Sequence, residues 1–168
     1  MSGRRPIFIE GDAAFVPLTQ GLVAVIDAED VLRVEGRLWA ALRRGGKIYA
    51  GRSVWSNGTS GCELMHRVIL DCPKDILVDH ADGDGLNNRR SNLRAASRSQ
   101  NAMNSGAHRD NASGLKGVSW IRKSQKWTAW ICANGRRVYL GVFDTSEAAH
   151  AAYADAAKKL HGDFARAS

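Results

Sequence analysis

Apolar and polar residues along the chain follow a pattern of short strands interrupted by turns, with only a few helical stretches. Turn-forming residues separate a first stretch, residues 1–61, from a second, 62–104, and a third, 114–168. Residues 105–113, which join the last two, are small and polar without periodicity, and they are predicted to be a linker. The pattern as a whole predicts an α+β protein.

The first stretch is predicted to be rich in β structure. The mostly apolar run 15–26 favours strand, and a short helix is predicted at Glu29–Glu35 with Asp27 as its cap. Gly45-Gly46 and Asn57-Gly58 are typical of hairpin turns. The strands expected to pair are Lys47–Trp55 and Cys62–Ile69. The aromatic residues, predicted to be packing residues rather than base-stacking platforms, are Trp39, Tyr49 and Trp55.

The second stretch predicts a strand, a loop, a second strand and a helix, in that order. The apolar run Ile76–His80 is predicted to be a strand, and Asp82-Gly83-Asp84-Gly85 indicates a loop. Leu93–Ala96 is predicted to be a short strand. Ser97 and Gln100 stand in the S-x-x-Q relation of a capping box, which predicts a helix that starts at Ser97.

The third stretch predicts a small sheet followed by one helix. Strands are expected at Leu115–Trp120, Lys126–Cys132 and Arg136–Val142, with a hairpin turn at Asn134-Gly135. The helix is expected from Thr145 to Leu160. The signals that mark its two ends are Asp144 with Glu147 at the start, and Lys158, Lys159 and Gly162 at the end.

Alternation along the last two strands separates two faces of this sheet. Trp127, Ala129 and Ile131 are expected to share one face with Val138 and Leu140, against which the alanine rows of the helix can pack. The opposite face is predicted to be open and basic, although an ordinary α/β surface explains this pattern equally well. The candidate DNA contacts on or beside the open face are Lys116, Arg122, Lys123, Lys126, Trp130, Arg137 and Tyr139.

Charge supports a polyanionic partner because it is unevenly distributed. The net charge is +7, and residues 111–168 carry nine basic and four acidic residues, whereas residues 61–110 carry seven of each. A basic segment favours binding of a polyanion through counterion release. A basic segment by itself, however, is more often an ordinary solvated surface than a binding site. The neutral second stretch and the basic third stretch therefore predict separate places for chemistry and for binding.

Cysteine usage and hydropathy limit the class of protein. Cys62, Cys72 and Cys132 form no C-x-x-C pair, which argues against a disulfide framework or a zinc knuckle and favours a reducing cytoplasm. No apolar run approaches the roughly 20 residues of a membrane span, and no signal-peptide pattern opens the chain. We therefore expect a cytoplasmic protein without a membrane partner.

Asp79, His80, Asn92 and Asn101 are the strongest candidates for chemistry. A carboxylate and an imidazole at a strand end, with two carboxamides that return to it, can hold one divalent cation beside a general base. Asp79 and Asn101 offer oxygens of the kind that Mg²⁺ prefers, and Asn92 is expected to orient His80 through its amide. Neighbouring strand residues point to opposite faces, so the strand must end or distort at His80. These groups are the equipment that hydrolysis of a phosphodiester needs.

Residue chemistry leaves other interpretations of the second stretch open. An isolated Asp-His pair is usually without catalytic function. The run Asp82–Gly85 could belong to a calcium loop, but it lacks the spaced carboxylates and the terminal Glu of an EF-hand, so a turn is the better explanation. His66 is predicted to be a structural histidine, with a phosphate contact as the alternative.

Three motifs follow one another between Met65 and Asn104: M-H-R-V-I-L, V-D-H-A-D-G-D-G-L-N-N-R-R-S-N-L-R and S-Q-N-A-M-N. This run resembles the HNH endonucleases of homing and bacteriophage type. The resemblance implies a ββα-metal fold and cleavage of DNA with Mg²⁺ or another divalent cation such as Mn²⁺. It also implies that Asp79 and Asn101 bind the metal, that His80 is the general base and that Asn92 positions it. His66 stands at a recurrent family position, from which no role is carried over.

A second resemblance covers residues 113–165. The runs G-L-K-G-V-S-W, K-W-T-A-W-I, Y-L-G-V-F-D-T and E-A-A-H-A-A-Y-A-D-A-A resemble the plant ethylene-response-factor DNA-binding domain. The resemblance implies that the sheet enters the DNA major groove and that Lys116, Arg137 and Tyr139 are contact positions. Trp130 and Cys132 stand where the plant domains usually have Glu and Arg, and Ser119 replaces another Arg. Their sequence preference is therefore not carried over.

Together these patterns predict a site-preferring DNA endonuclease, in which residues 62–104 perform the chemistry and residues 114–168 bind double-stranded DNA. The main alternative is a DNA-binding regulator with an idle nuclease core, and a weaker one is an RNA-binding module. No protein partner is indicated. The expected location is the cytoplasm of a bacterial or phage-infected cell.

Overall fold

The computed structural model of the chain describes residues 5–56, 58–73, 75–107, 110–133 and 135–166. Backbone contacts divide the chain into two compact units, Met1–Ala96 and Ser97–Ser168. Both combine antiparallel strands with short helices, so the predicted α+β class is confirmed. The division falls before the linker predicted at 105–113, part of which lies outside the described residues.

The first unit contains antiparallel strands and two short helices. One sheet consists of β1 (Phe8–Glu10), β2 (Ala13–Pro17) and β3 (Val23–Asp27). A second consists of β4 (Ala40–Arg44), β5 (Lys47–Ser56) and β6 (Thr59–Leu64), and a pair is formed by β7 (Leu77–His80) and β8 (Leu93–Ala96). The helices are α1 (Val31–Val34) and α2 (Met65–Leu70).

Two predictions for the first unit were wrong in part. The strand predicted at Cys62–Ile69 ends at Leu64, and the chain continues as α2 because Met65, His66 and Ile69 are buried at helical rather than alternating spacing. The helix predicted at Glu29–Glu35 is a 3₁₀ turn followed by the single turn of α1, and the side chain of Asp27 does not cap it. The predicted turn at Asn57-Gly58 includes Asn57, which lies outside the described residues.

A single hydrophobic core joins the first two stretches of the sequence. It contains Ala14, Val16, Ala24 and Ile26 from β2 and β3, together with Ala50 of β5. Residues of the second stretch complete this core: Met65, Ile69 and Leu93, with Val78 and Leu86 packed against it. Burial of each large aliphatic side chain contributes about 1.5–3 kcal/mol, so the β-rich first stretch holds β7 and β8 in place.

Among its described residues, the second unit contains one sheet and two α-helices. The elements are α3 (Arg98–Met103), β9 (Val118–Ile121), β10 (Lys126–Ala133), β11 (Arg136–Phe143) and α4 (Ser146–His161). The antiparallel sheet has the order β11-β10-β9. Its hydrophobic contacts lie between the sheet and α4, where Ala129 and Ile131 of β10 meet Ala149, Tyr153 and Ala157.

The helix starts of this unit follow local capping chemistry. The predicted capping box of α3 is confirmed, since the Ser97 hydroxyl accepts from the Gln100 N–H and the Gln100 side chain accepts from the Ser97 N–H. Thr145, rather than Asp144, caps α4 by accepting from the Ala148 N–H at 3.1 Å. The Asp144 carboxylate instead forms an ion pair with Lys126 at 2.9 Å.

Candidate active site and DNA-binding face

Asp79 and His80 occupy the end of β7, as the second stretch predicted. Antiparallel pairing places Asp79 opposite Arg94 and His80 opposite Leu93, and the strand ends at His80. The Arg94 Nε donates to Asp79 Oδ2 at 2.8 Å, and Arg94 Nη2 lies 2.7 Å from the same oxygen as part of the ion pair. Both Asp79 and His80 are buried, with 3% and 5% of their surface exposed. The pair is therefore an enclosed feature of the fold rather than a solvated turn.

The His80 ring is held by an amide and by two other rings. Its Nε2 lies 3.4 Å from Oδ1 of Asn88, a fully buried residue whose Nδ2 donates to the Leu86 carbonyl. This orientation of the Asn88 amide makes His80 Nε2 the donor and leaves Nδ1 as the proton acceptor. The ring meets that of His66 edge-on, with centroids 4.9 Å apart, and lies 5.8 Å from that of Tyr49.

Burial sets the protonation of this histidine pair. Burial lowers the pKa of His80, against the opposing effects of the Asn88 bond and the charges of Asp82 and Asp79. Burial, together with the charge of His80, lowers the pKa of His66 to about 3. Both rings are therefore neutral at pH 7, which is the form that a proton acceptor requires.

Asn92 acts on the turn after His80 rather than on the His80 ring. Its Oδ1 accepts from the Asp82 N–H at 3.0 Å, and its Nδ2 donates to Asp82 Oδ1 and to the Asn87 carbonyl. Because Leu93 pairs with His80, Asn92 lies beyond the ladder and opposite the turn. The predicted bond from the Asn92 amide to His80 was therefore wrong, and Asn88 makes that contact. The Asn87-Asn88 dipeptide was the sequence signal for it.

The loop Asp82–Gly85 is a turn, as predicted. Its two carboxylates accept hydrogen bonds from groups of the same loop and from residues shortly after it. Asp82 accepts from the Asp84 N–H, from Asn87 Nδ2 and from Asn92 Nδ2, all at 2.8–2.9 Å. Burial raises the pKa of Asp82, but these hydrogen bonds outweigh burial and the net pKa is lowered. Asp84 similarly accepts from the Leu86 N–H.

Ion pairs tie the same loop to the first stretch. Arg89 donates to Asp27 at 2.7 Å, and Arg90 donates to both oxygens of Asp30, a carboxylate with only 1% of its surface exposed. Backbone bonds add to them, from Val25 N to Leu86 O and from Asn88 N to Val25 O. The sequence carries no local signal of this support, because residues about 60 positions apart leave no local pattern.

His66 lies on α2 rather than on a strand. It is buried, and among the described residues its Nδ1 has no hydrogen-bond partner. Its ring contacts are with His80 and Tyr49. This position fits the predicted structural role and extends it, since the ring that His66 supports is that of His80.

Asn101 belongs to the second unit, on the exposed side of α3. Its role as a metal ligand stays a prediction. Among the described residues, no three His, Cys, Asp or Glu side chains form a group that could hold a metal ion. Asp79 is a buried carboxylate, and carboxylate oxygens are the kind of ligand that Mg²⁺ takes.

An aromatic and basic stack lies on the side of the second sheet that faces away from α4. The rings of Trp130 and Tyr139 are paired across β10 and β11, with centroids 4.8 Å apart, and the Arg137 guanidinium lies 4.5 Å from the Trp130 ring centroid. A bulge after Ala129 leaves Leu140 without a partner in the ladder, and Leu140 packs toward α4. The predicted two faces are therefore present, except that Val138 is exposed instead of joining the core.

The remaining basic candidates lie in different surroundings. Arg122 and Lys123 are exposed in the turn between β9 and β10, and Lys126 pairs with Asp144. Lys116 is half-buried instead: it donates to the Met103 carbonyl and lies 6.0 Å from the Tyr153 ring centroid. Burial, together with the charge of Arg166, lowers the pKa of Lys116 to about 8. The structure therefore gives Lys116 an internal role and does not place it on the open face.

Comparison with known proteins matches both halves of this description. The family profile of the HNH endonucleases matches residues 71–103, and that of the AP2 domain matches residues 113–163. Protein 3.8 of Escherichia phage T7 is 36% identical over 94 residues, which cover 56% of this chain and 77% of that protein. No solved structure is significantly similar to the chain.

Two further relatives carry the names of the two families. Uncharacterized HNH endonuclease L560 of Acanthamoeba polyphaga mimivirus is 38% identical over 126 residues, covering 71% of this chain and 65% of that protein. AP2-like ethylene-responsive transcription factor TOE2 of Arabidopsis thaliana is 43% identical over 54 residues, covering 32% of this chain and 11% of that protein. No helix among the described residues is long and apolar enough to cross a membrane. The chain therefore contains an HNH endonuclease domain at residues 71–103, followed by an AP2 domain at residues 113–163.

Proposed function

We propose that the chain is a DNA endonuclease that hydrolyses phosphodiester bonds with the help of one divalent cation, Mg²⁺ or Mn²⁺. The observation that carries the proposal is the buried, neutral His80 beside the buried carboxylate of Asp79, within the run that the HNH family profile matches. The AP2 domain and the stack of Trp130, Tyr139 and Arg137 support double-stranded DNA as the substrate.

Each side chain of the site has a separate task in this mechanism. His80 Nδ1 takes the proton of the attacking water, and Asn88 keeps the ring in the tautomer that leaves Nδ1 as the acceptor. Arg94 orients the Asp79 carboxylate, and Asn92 fixes the turn that follows His80. Asp79 and Asn101 are the residues that would hold the cation. When bound, the cation supplies positive charge for the non-bridging and leaving oxygens of the phosphate.

We further propose a division of labour between the two parts of the chain. Residues 114–168 supply affinity for DNA and its placement, and residues 62–104, with α3 as the third element after β7 and β8, form the ββα-metal core. An endonuclease of this kind acts in the cytoplasm of a bacterial or phage-infected cell, where its DNA substrate lies.

Cleavage of supercoiled plasmid tests the proposal. The purified chain is expected to nick or linearise plasmid with Mg²⁺ or Mn²⁺ and to lose this activity in EDTA. His80→Ala should abolish cleavage while DNA binding, measured by gel shift, stays within about twofold of the wild type, because His80 is buried in the first unit. Undiminished cleavage by His80→Ala would refute the general-base assignment. Specific binding without cleavage of any DNA would favour the regulator instead.

A further inference from the structure

The β4–β5 turn places two cationic side chains on one face of their sheet. Arg44 and Lys47 are direct partners in the antiparallel ladder, so their side chains project to the same side. Tyr49, two residues after Lys47, projects to that side as well and is paired with Leu42. Arg43 is paired with Ile48, and both project to the opposite side.

The face that carries Arg44 and Lys47 borders the nuclease site. The Tyr49 ring lies 5.8 Å from the His80 ring and 6.0 Å from the His66 ring, measured between centroids. A Cβ atom on Gly85 would collide with the Ile48 carbonyl and the Tyr49 ring, so the loop after His80 packs directly on β5. Lys47 follows at a separation of about 7 Å along the strand, the repeat of same-face residues.

These two cations differ from most others in the first unit because no acidic side chain neutralises them. The ion-paired arginines of this unit are Arg33, Arg37, Arg52, Arg89, Arg90 and Arg94. Arg67 instead donates to the carbonyls of Ile76, Cys72 and Pro73. Within the described part of the chain, Arg44 and Lys47 have neither an ion pair nor a side-chain hydrogen bond, and Arg44 is exposed while Lys47 is half-buried.

The charge of both side chains reaches the site. After burial, the charge of Lys47 is among the causes that lower the pKa of His80. Burial, His80, Arg67 and then Arg44 lower the pKa of His66. Positive charge at this edge of the site attracts an anionic phosphate.

We propose that Arg44 and Lys47 bind backbone phosphates of the DNA strand held at His80, so that the β4–β5 turn forms part of the substrate-binding site. The inference rests on the proposed function and assigns its substrate contact to the first stretch of the chain. Arg suits bidentate contact with a phosphate, and Lys adds a compact charge beside it. The sheet that supports His80 through its core thereby also holds the DNA strand that is cleaved beside His80.

Salt dependence of DNA binding tests the contact without relying on cleavage. The full chain with His80→Ala is compared with the same chain carrying Arg44→Gln and Lys47→Gln, on a short duplex followed by fluorescence anisotropy. Each phosphate contact contributes about 0.9 to the slope of log K against log salt, so the double variant should lower the slope by about 1.8. Arg43→Gln is the matched control on the opposite face, and its slope should equal that of the parent.

Cleavage kinetics separate this inference from the proposed function. With the wild-type His80, the Arg44→Gln/Lys47→Gln chain should show a KM for duplex DNA raised about tenfold or more, while Arg43→Gln retains the wild-type KM. Unchanged thermal unfolding checks that both variants fold. If the double variant kept the salt slope of its parent and the wild-type KM, the proposed phosphate contact would be wrong, but the proposed nuclease function would be unaffected. A wild-type chain that never cleaves overturns the proposed function, whereas the binding slopes still decide the contact.

Discussion

Two nearby asparagines of the site have different roles, which their positions in the sequence do not reveal. Asn88 and Asn92 are four residues apart, and both are buried. Asn88 contacts the His80 ring, whereas the Asn92 amide forms hydrogen bonds with Asp82 and Asn87. The His80 ring is thus oriented by one asparagine, and the turn that follows it is fixed by the other.

Substitution of the two asparagines should separate these roles. Asn88→Ala removes the partner of His80 Nε2, and a base displaced by about 1 Å can lose about 10²-fold in rate. We therefore expect kcat for plasmid nicking to fall by about that factor while KM for DNA changes little. Asn92→Ala should act chiefly on stability, at a cost of about 1–3 kcal/mol for the buried groups it leaves without partners. The opposite pattern, in which kcat falls only in Asn92→Ala, would support the prediction from the sequence that Asn92 orients His80.

Lys116 predicts a pH dependence of stability in the second unit. Its pKa is about 8 in the folded chain against 10.5 for an ordinary lysine, so the unfolded chain binds more protons between these values. Stability should therefore rise as pH increases from about 8 to 10.5. Lys116→Met should lose this rise, whereas Lys126→Met, at an exposed pair, should keep it. Denaturant unfolding, followed by tryptophan fluorescence, measures the free energy of unfolding across this pH range. If Lys116→Met kept the wild-type rise in stability with pH, the assignment to Lys116 would be wrong.

Whole elements of the first unit act as a support for the loop after His80. The loop is tied to β3 by backbone bonds at Val25 and by the pairs of Arg89 with Asp27 and of Arg90 with Asp30. Asp30 lies directly before α1 and is buried, and it forms ion pairs with Arg90 and Arg33. The apolar pattern of the first stretch predicted β5 and the region of β2 and β3. The loop that these strands support is more than fifty residues away in the chain from β3.

Loss of the Arg90 pair should therefore weaken both the fold and the site. Removing one partner of a buried pair costs about 3–5 kcal/mol, and the partial exposure of Arg90 and the presence of Arg33 reduce this to about 1–3 kcal/mol. Arg90→Gln is expected to lower the free energy of unfolding by that amount and to reduce nicking. Arg33→Gln, at a longer and more exposed contact, is the control and should cost less than about 1 kcal/mol. Denaturant titration measures both, and equal costs would argue against Arg90 as the main anchor.

The molecule as a whole joins a neutral nuclease region to a basic AP2 domain. The basic domain presents Trp130, Tyr139 and Arg137 together on the face opposite α4. The same unit contains α3, and Lys116 bonds to its last turn at Met103. A deletion of residues 111–168 would remove that support from α3, so point substitutions on the open face test DNA binding more cleanly.

Open-face substitutions should reduce binding without affecting chemistry. Arg137→Ala is expected to weaken DNA binding and to lower the salt slope by about 0.9, the contribution of one phosphate contact. Tyr139→Ala should weaken binding with little change in the slope, because it removes a neutral contact. Val138→Ala, an exposed apolar neighbour, is the control. Anisotropy titrations at several salt concentrations measure all three, and wild-type affinity in both Arg137→Ala and Tyr139→Ala would refute the open face as the DNA contact.

Local patterns in the sequence determined much of the fold. Leu93–Ala96 and the start of α3 at Ser97 agree with the structure because alternation and a capping box act between neighbours in the chain. The order of three strands and a helix in the second unit follows from the same kinds of signal. The motif positions of Asp79 and His80 are also local, since the two residues are adjacent at a strand end.

The tertiary structure decided which side chains act together. In the structure Asn88, rather than Asn92, contacts the His80 ring. Lys116 is half-buried against Met103, and the first stretch supports the loop that follows His80. These outcomes depend on burial and on contacts between residues distant in the chain, which a local pattern does not encode. The sequence by itself therefore determined the kinds of chemical group and their elements, whereas packing determined their partners and their states of protonation.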